Sequence, residues 1–230
     1  MHVKLTPRLA AIAKYVPEGS SVADIGTDHA YLPVYLLTQK ISQKVIATDI
    51  HENPLSSAIE LMEMLNLTRK IDIRLGDGLR VLKPAEADVI VLAGMGGGTM
   101  AHILDASPEV VASIKRLIVQ PMVRPSRVRT WIEENKFEIV DEDLVEDDGI
   151  IYEIIIAEPG SAKYTFEEIF IGPQILAKKP VLLKKYLLQQ QITLQENLVE
   201  MDKSDSLRTS LRKKEYQMRL EILDKVIACL

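Results

Sequence analysis

Short apolar runs, each closed by an acid, a glycine or a proline, recur along the first two thirds of the chain. Ser21-Val22-Ala23-Asp24-Ile25 stops at Gly26, and Lys44-Val45-Ile46-Ala47-Thr48-Asp49 ends in an acid. Ile71-Asp72-Ile73-Arg74-Leu75 alternates and breaks at Gly76-Asp77-Gly78. Ala87-Asp88-Val89-Ile90-Val91-Leu92 runs into Ala93-Gly94-Met95-Gly96-Gly97-Gly98, and Arg116-Leu117-Ile118-Val119-Gln120 is closed by Pro121. Runs of this length between turn residues read as buried strands. Between them, Leu55, Ala58, Ile59, Met62 and Leu65, and later Val128, Trp131 and Ile132, recur at helical spacing. Thr6-Pro7 reads as a cap and first residue of a helix through Leu9, Ile12, Ala13 and Val16. Phe137-Glu138-Ile139-Val140 and Ile150 to Ile156 read as a closing hairpin turning at Asp147-Asp148-Gly149. Strands alternating with helices predict a doubly wound, mostly parallel α/β sheet with one reversed strand.

Pro159-Gly160-Ser161 marks a change of pattern, dividing a domain over 1–160 from a helical one over 161–230. Residues 162–180 read as a short helical bridge broken at Gly172-Pro173 and Pro180. Leu183, Leu187, Leu194, Leu198 and Met201 then follow steps of three, four or seven, and Leu207, Leu211, Met218, Ile222 and Val226 resume after a polar turn. The prediction is an antiparallel, coiled-coil-like helical hairpin with about 20 residues in each arm.

Composition changes the picture in two ways. An apolar fraction of 47% excludes a disordered chain, and the single Cys229 excludes a disulfide scaffold. No apolar run approaches a membrane span, and the first residues lack the core of a signal peptide, so a soluble cytoplasmic protein is expected. The net charge of -5 hides a division. Residues 161–230 hold 12 Lys/Arg against 9 Asp/Glu (+3), and residues 1–160 hold 16 against 24 (-8). An acidic body with a mildly basic tail can still dock a polyanion through the tail, although solvated helix faces give the same balance.

Open α/β sheets bind ligands outside the carboxyl ends of their strands, where the strand order reverses. Four loops leave strand ends there: Asp24-Ile25-Gly26-Thr27-Asp28-His29-Ala30, Asp49-Ile50-His51, Gly76-Asp77-Gly78 and Ala93-Gly94-Met95-Gly96. A nicotinamide or flavin dinucleotide requires glycines spaced G-x-G-x-x-G. Here Gly26 stands alone, and Asp28 fills the second glycine's place. An acid repels a diphosphate but suits a cation, and S-adenosylmethionine carries a sulfonium, an ammonium and no phosphate. Asp49 is placed to accept ribose hydroxyls, Asp77 the adenine amino group, and Met95 among its glycines to approach the transferred methyl. Asp24 as a turn cap, the glycines as left-handed backbone positions and His29 as a plain loop residue are the structural alternatives. One cysteine and scattered histidines make no metal constellation, so no metal is expected.

Leu5-Thr6-Pro7-Arg8-Leu9, Ala23 to Pro33, Arg74 to Leu79, Ala93 to Gly97, Gln120-Pro121-Met122, Tyr152-Glu153-Ile154 and Gly172-Pro173 together resemble the bacterial tRNA adenine-N1 methyltransferases that act at adenine 22. The resemblance covers essentially the whole chain. It implies a Rossmann-like class I methyltransferase sheet of seven strands with a C-terminal coiled-coil-like domain. It also implies S-adenosylmethionine contacts at Arg8, Gly26, Asp28, His29, Asp49, Asp77 and Gly94-Met95-Gly96. With the loop neighbours Asp24, Ile50, Gly76, Gly78 and Ala93, these are the candidate cofactor residues; Asp24, Asp28 and Met95 are the candidates for positioning the reacting groups. Met122 departs from the pattern, which has asparagine there. No Asp/Asn-Pro-Pro-Tyr loop of exocyclic-amine methyltransferases is present, in keeping with a ring-nitrogen target.

A tRNA partner needs cations outside the acidic body. Arg208, Arg212 and Arg219 share a helical face, with Lys184, Lys185, Lys213 and Lys214 beside it, and Arg124, Arg127 and Arg129 form a second cluster after the fifth strand. A dimerisation or packing role is the alternative for the hairpin, with a monomer favoured. The rival functions are a methyltransferase of the same fold acting on another RNA, a protein or a small molecule, a nicotinamide-dependent oxidoreductase, and a non-catalytic RNA-binding protein.

Overall fold

The computed structural model describes residues 3–27, 29–52, 59, 63–64, 67, 70–201 and 207–230, the side chains of 207–209 apart. Among them, seven strands form one sheet: β1 (Ser21–Ile25), β2 (Lys44–Asp49), β3 (Ile71–Leu75), β4 (Val89–Gly96), β5 (Arg116–Val123), β6 (Phe137–Asp147) and β7 (Ile150–Pro159). Their order is β3-β2-β1-β4-β5-β7-β6. β1 to β5 pair in parallel, and β7 runs antiparallel to both β5 and β6. The chain winds outward from β1 to β3, then returns to β4 on the other side of β1, so the carboxyl ends of β1 and β4 flank the switch point.

Alternate residues of the central strands face opposite layers. Ala23, Ile25, Ile90 and Leu92 pack under α3 (Gly97–Asp105), α4 (Pro108–Val111) and α5 (Pro125–Glu134). Val22, Val89 and Val91 pack under α1 (Pro7–Lys14) and α2 (Tyr31–Thr38). Near-continuous apolar strands are the mark of a sheet covered on both faces. Thr6 caps α1, its hydroxyl accepting from the Leu9 amide at 3.4 Å, with Pro7 at the first helical position.

Three boundaries differ from the sequence expectation. β5 continues through Pro121 to Val123, because register shifts beside Met95 leave Pro121 opposite a bulge. β6 extends to Asp147 along an acidic stretch, with a shift between Ile139 and Asp141. The helix expected at Leu55, Ala58, Ile59, Met62 and Leu65 falls outside the described residues except at Ile59, and so does the polar turn at 202–206.

After Pro159 the chain forms α6 (Phe166–Ile171), α7 (Pro173–Lys178), α8 (Leu183–Met201) and α9 (Leu207–Ala228). Ile171, Ile175, Leu183, Leu187 and Leu223 pack on Leu144 and Ile151 of the β6–β7 hairpin. Gln191 of α8 donates to Asp224 of α9, fixing their antiparallel alignment.

Beneath this junction lies Arg129, expected from its charge to meet RNA. It is instead fully buried. Its Nε donates to Glu142 Oε1 at 2.7 Å, and its Nη2 pairs with Glu153. Nη1 donates to the carbonyls of Ile169 and Phe170. Glu142 Oε2 accepts from the Gln174 amide at 2.9 Å, and the Tyr186 hydroxyl donates to Glu153. Burial opposes the guanidinium's charge, but the two carboxylates hold it protonated. Burial, and then Glu153, push the Tyr186 phenol far up. Gly172 closes the cluster with φ +117°, and a Cβ there would lie 2.6 Å from Glu142 Oε2. Removing one member of a buried ion pair strands the other, typically at about 3–5 kcal/mol. Arg129→Met should therefore destabilise the protein by about that much in urea unfolding, whereas the exposed Arg127→Ala should be nearly neutral.

Candidate active site

The strand-end loops enclose a cleft of about 710 Å³, within the range of small-molecule sites. Asp24 lies at its floor, 6% exposed, where burial first and the Asp49 charge second raise its pKa to about 6, against a lowering hydrogen bond from Thr27. Asp49 closes β2 beside it; one oxygen accepts from the His51 amide at 2.8 Å, and its carbonyl accepts from Gly76. Thr48 Oγ1 is buried without a hydrogen-bond partner among the described residues and also borders the cleft. A buried carboxylate favours a cationic neighbour, and a hydroxyl can donate to or accept from a polar one.

Gly26 has φ +75°, a left-handed conformation that favours glycine as the chain leaves β1, and the Met95 methyl lies over it, 2.1 Å from where a Cβ would stand. Ile50, Gly76, Asp77, Gly78, Ala93, Gly94 and Met95 also line the cleft. Asp77 reaches its rim and pairs with Arg80 at 2.6 Å. His29 stands back, its ring 5.7 Å from that of Tyr31, and Tyr31 is the one that borders the cleft. Gly96 packs against Val123 behind the lining. Asp28 lies outside the described residues.

Arg8, at the start of α1, reaches the same cleft. Its Nη1 donates to Gln120 Oε1 at 2.6 Å, and its guanidinium lies 5.5 Å from the Tyr152 ring centre. The same Gln120 oxygen accepts from the Gly94 amide at 3.1 Å. Gln120 is fully buried and thereby ties the first helix to the β4 loop.

A residue-by-residue match with known proteins bears on this arrangement. The model of a methyltransferase domain family matches residues 5–155. The tRNA (adenine(22)-N(1))-methyltransferase of Bacillus subtilis is 36% identical over 98% of both chains. The chain belongs to the tRNA (adenine(22)-N(1))-methyltransferase family. The crystal structure of the B. subtilis M1A22 tRNA methyltransferase TrmK superposes with a TM-score of 0.89 at 34% identity, covering 98% of this chain and 100% of that one. The structure of M. capricolum TrmK in complex with S-adenosyl-homocysteine gives a TM-score of 0.84 at 28% identity, covering 99% of each.

Within this methyltransferase fold, the two basic clusters of the sequence converge in part. Arg124 and Arg127, at the start of α5, face Arg212 and Arg219 of α9 across one groove. Lys184 and Lys185 are elsewhere, at the first turn of α8, where Lys185 pairs with Glu146 at 2.6 Å. The side chain of Arg208 lies outside the described residues. The cleft also holds residues not singled out from sequence as contacts, among them Thr48, Thr99, His102 and Ile103. Gln120 was visible there only as part of a motif, because a polar residue closing an apolar strand carries no signal of what it bonds.

The raised pKa of Asp24 links stability to pH. The native state holds this proton up to about 6 and the unfolded chain only to about 4, so the native state binds more protons in between and stability falls as pH rises through that window. Two pKa units correspond to about 3 kcal/mol. Asp24→Asn should lose that slope and become more stable than the wild type above pH 6, as measured by urea unfolding across pH.

Proposed function

We propose that this methyltransferase transfers a methyl group from S-adenosylmethionine to N1 of adenine 22 in tRNA. The observation that carries the reading is the pairing of an acid-lined cleft with a separate arginine-lined groove, one suited to a cationic nucleoside donor and the other to an RNA backbone. Residues 1–160 form the donor-binding domain in this reading, and residues 161–230 contribute the RNA grip.

The residues present fit the donor. Asp49, with Thr48 beside it, is placed for ribose hydroxyls, since a strand-end acid accepts such bonds in dinucleotide folds. Asp77 at the rim and Ile50 and Ile103 along the wall suit the adenine. Asp24 supplies negative charge for the ammonium and sulfonium, and Gly94, where a Cβ would meet only Arg8 Nη1 at 3.6 Å among the described residues, admits close backbone approach. When bound, S-adenosylmethionine supplies an electrophilic methyl group.

Adenine N1 has an available lone pair and needs no prior deprotonation. The chain's task is therefore alignment and exclusion of water, and alignment alone is capable of several kcal/mol. Methylation leaves a cationic base, which the carbonyls of the Ala93–Met95 loop and the Asp24 carboxylate stabilise. Met95, Tyr31, Leu9 and Met122 border the cleft and give the adenine apolar walls. Because N1 lies on the pairing edge, the base enters unpaired or turned out of its helix, at a cost of a few kcal/mol.

Incubation with unmodified tRNA and S-adenosylmethionine, followed by nucleoside mass spectrometry, should yield 1-methyladenosine at one position. Absence of that product, or methylation at another base, overturns the reading. The cationic donor binds the ionised form of Asp24, so its calorimetric affinity should rise with pH up to about 6 and level off above. Asp24→Asn should bind it at least about tenfold more weakly and without that rise.

A further inference from the structure

The groove shared by α5 and α9 encloses about 490 Å³ and collects four arginines against one acid, Glu215. Its two walls come from different parts of the chain: Arg124 and Arg127 from the catalytic body, Arg212 and Arg219 from the tail. Tyr216 lies between the latter pair. The Arg212 guanidinium stands 5.6 Å from its ring centre and the Arg219 guanidinium 5.8 Å, with Arg219 also 5.1 Å from Phe170. Arg219 Nη2 is held by Glu215 at 2.6 Å, while its Nε is buried with no partner among the described residues. Guanidinia fixed on aromatic faces lose little freedom when they meet an anion.

The groove and the cleft are linked along the chain at the end of β5. Met122 borders the cleft, and Arg124, two residues on, borders the groove, a span of about 7 Å of extended chain. Arg124 adopts φ +56°, and its carbonyl lies where a Cβ of Gly97 would come within 2.3 Å, so this connection is pressed against the start of α3. A strand whose base enters the cleft finds these arginines beside the Met122 end of it.

The geometry points to this groove as the seat of the phosphodiesters that directly flank the target adenosine, with Arg127 and Arg212 gripping them from opposite walls and Tyr216 as the positioning residue for the tail arginines. This rests on the proposed tRNA reaction and adds to it where the strand lies. Body and tail grip one stretch of backbone, and the grip acts on turnover as well as on affinity, because it holds the nucleotide whose base reacts.

The test uses the full chain with Arg127→Ala, Arg212→Ala, the double variant, Tyr216→Phe and Tyr216→Leu. Each arginine variant should weaken tRNA binding about tenfold and lower the slope of log affinity against log salt by about 1. Donor affinity should stay at the wild-type value, and the rate at saturating tRNA should fall. The double variant should lose less than the product of the single losses, since the two arginines share one stretch of backbone. Tyr216→Phe keeps the ring and should keep tRNA binding, whereas Tyr216→Leu should not. Unchanged salt slopes, losses that simply multiply, or a wild-type rate at saturating tRNA would each overturn the assignment. The wild-type nucleoside product is read separately: no 1-methyladenosine sinks the reaction, while the binding slopes still decide the groove.

Discussion

A carboxylate kept out of water at the end of the central strand sets the terms for the rest of the molecule. Asp24 sits near the carboxyl end of β1, paired with Val91 of β4, and burial there disfavours its charge and raises its pKa. A dinucleotide cofactor would meet the same residue as a repulsion, and a structural core would replace it with an apolar side chain. Its presence makes sense when a cationic partner occupies the cleft. Around it, Gly26 gives way to Met95, Asp49 is turned by the His51 amide, and the Thr48 hydroxyl, without a partner among the described residues, borders the same space. Local instability is concentrated where ligand chemistry requires it.

The second organising element is the buried cluster of Arg129, Glu142, Glu153 and Tyr186. One guanidinium is shared by a strand hairpin, the body's α5 and the first turns of the tail. Because α5 begins at Pro125, directly after Arg124 of the groove, the cluster fixes how the tail's arginines stand relative to the body. An apolar seam alone, such as Leu144 and Ile151 against Leu183 and Leu187, tolerates sliding; a set of directed bonds to two carboxylates does not.

Much of this was legible in the residues. The alternation of strands and helices, one reversed strand, the helical tail and the acid-and-glycine loops follow from period, turn chemistry and the types of residue at strand ends. What stayed hidden depends on contacts distant in sequence. Arg129 shares the local pattern of Arg124 and Arg127, and nothing nearby announces that Glu142 and Glu153 will converge on it. α2 lacks an amphipathic stripe, because Tyr31-Leu32-Pro33-Val34-Tyr35-Leu36-Leu37 is apolar almost all round. β6 runs on through Asp141 to Asp147 because it pairs with β7, a partnership that an acidic stretch conceals. Arg212 and Lys184 share a charge sign but not a place, since only the hairpin's fold determines which cations gather.

The division of one Gln120 oxygen between Arg8 and the Gly94 amide has a temporal consequence. Arg8 and its partner lie 112 residues apart. The contact that holds the β4 loop against the first helix therefore forms only once β5 is in place, a non-local closure of the kind that sets the pace of folding.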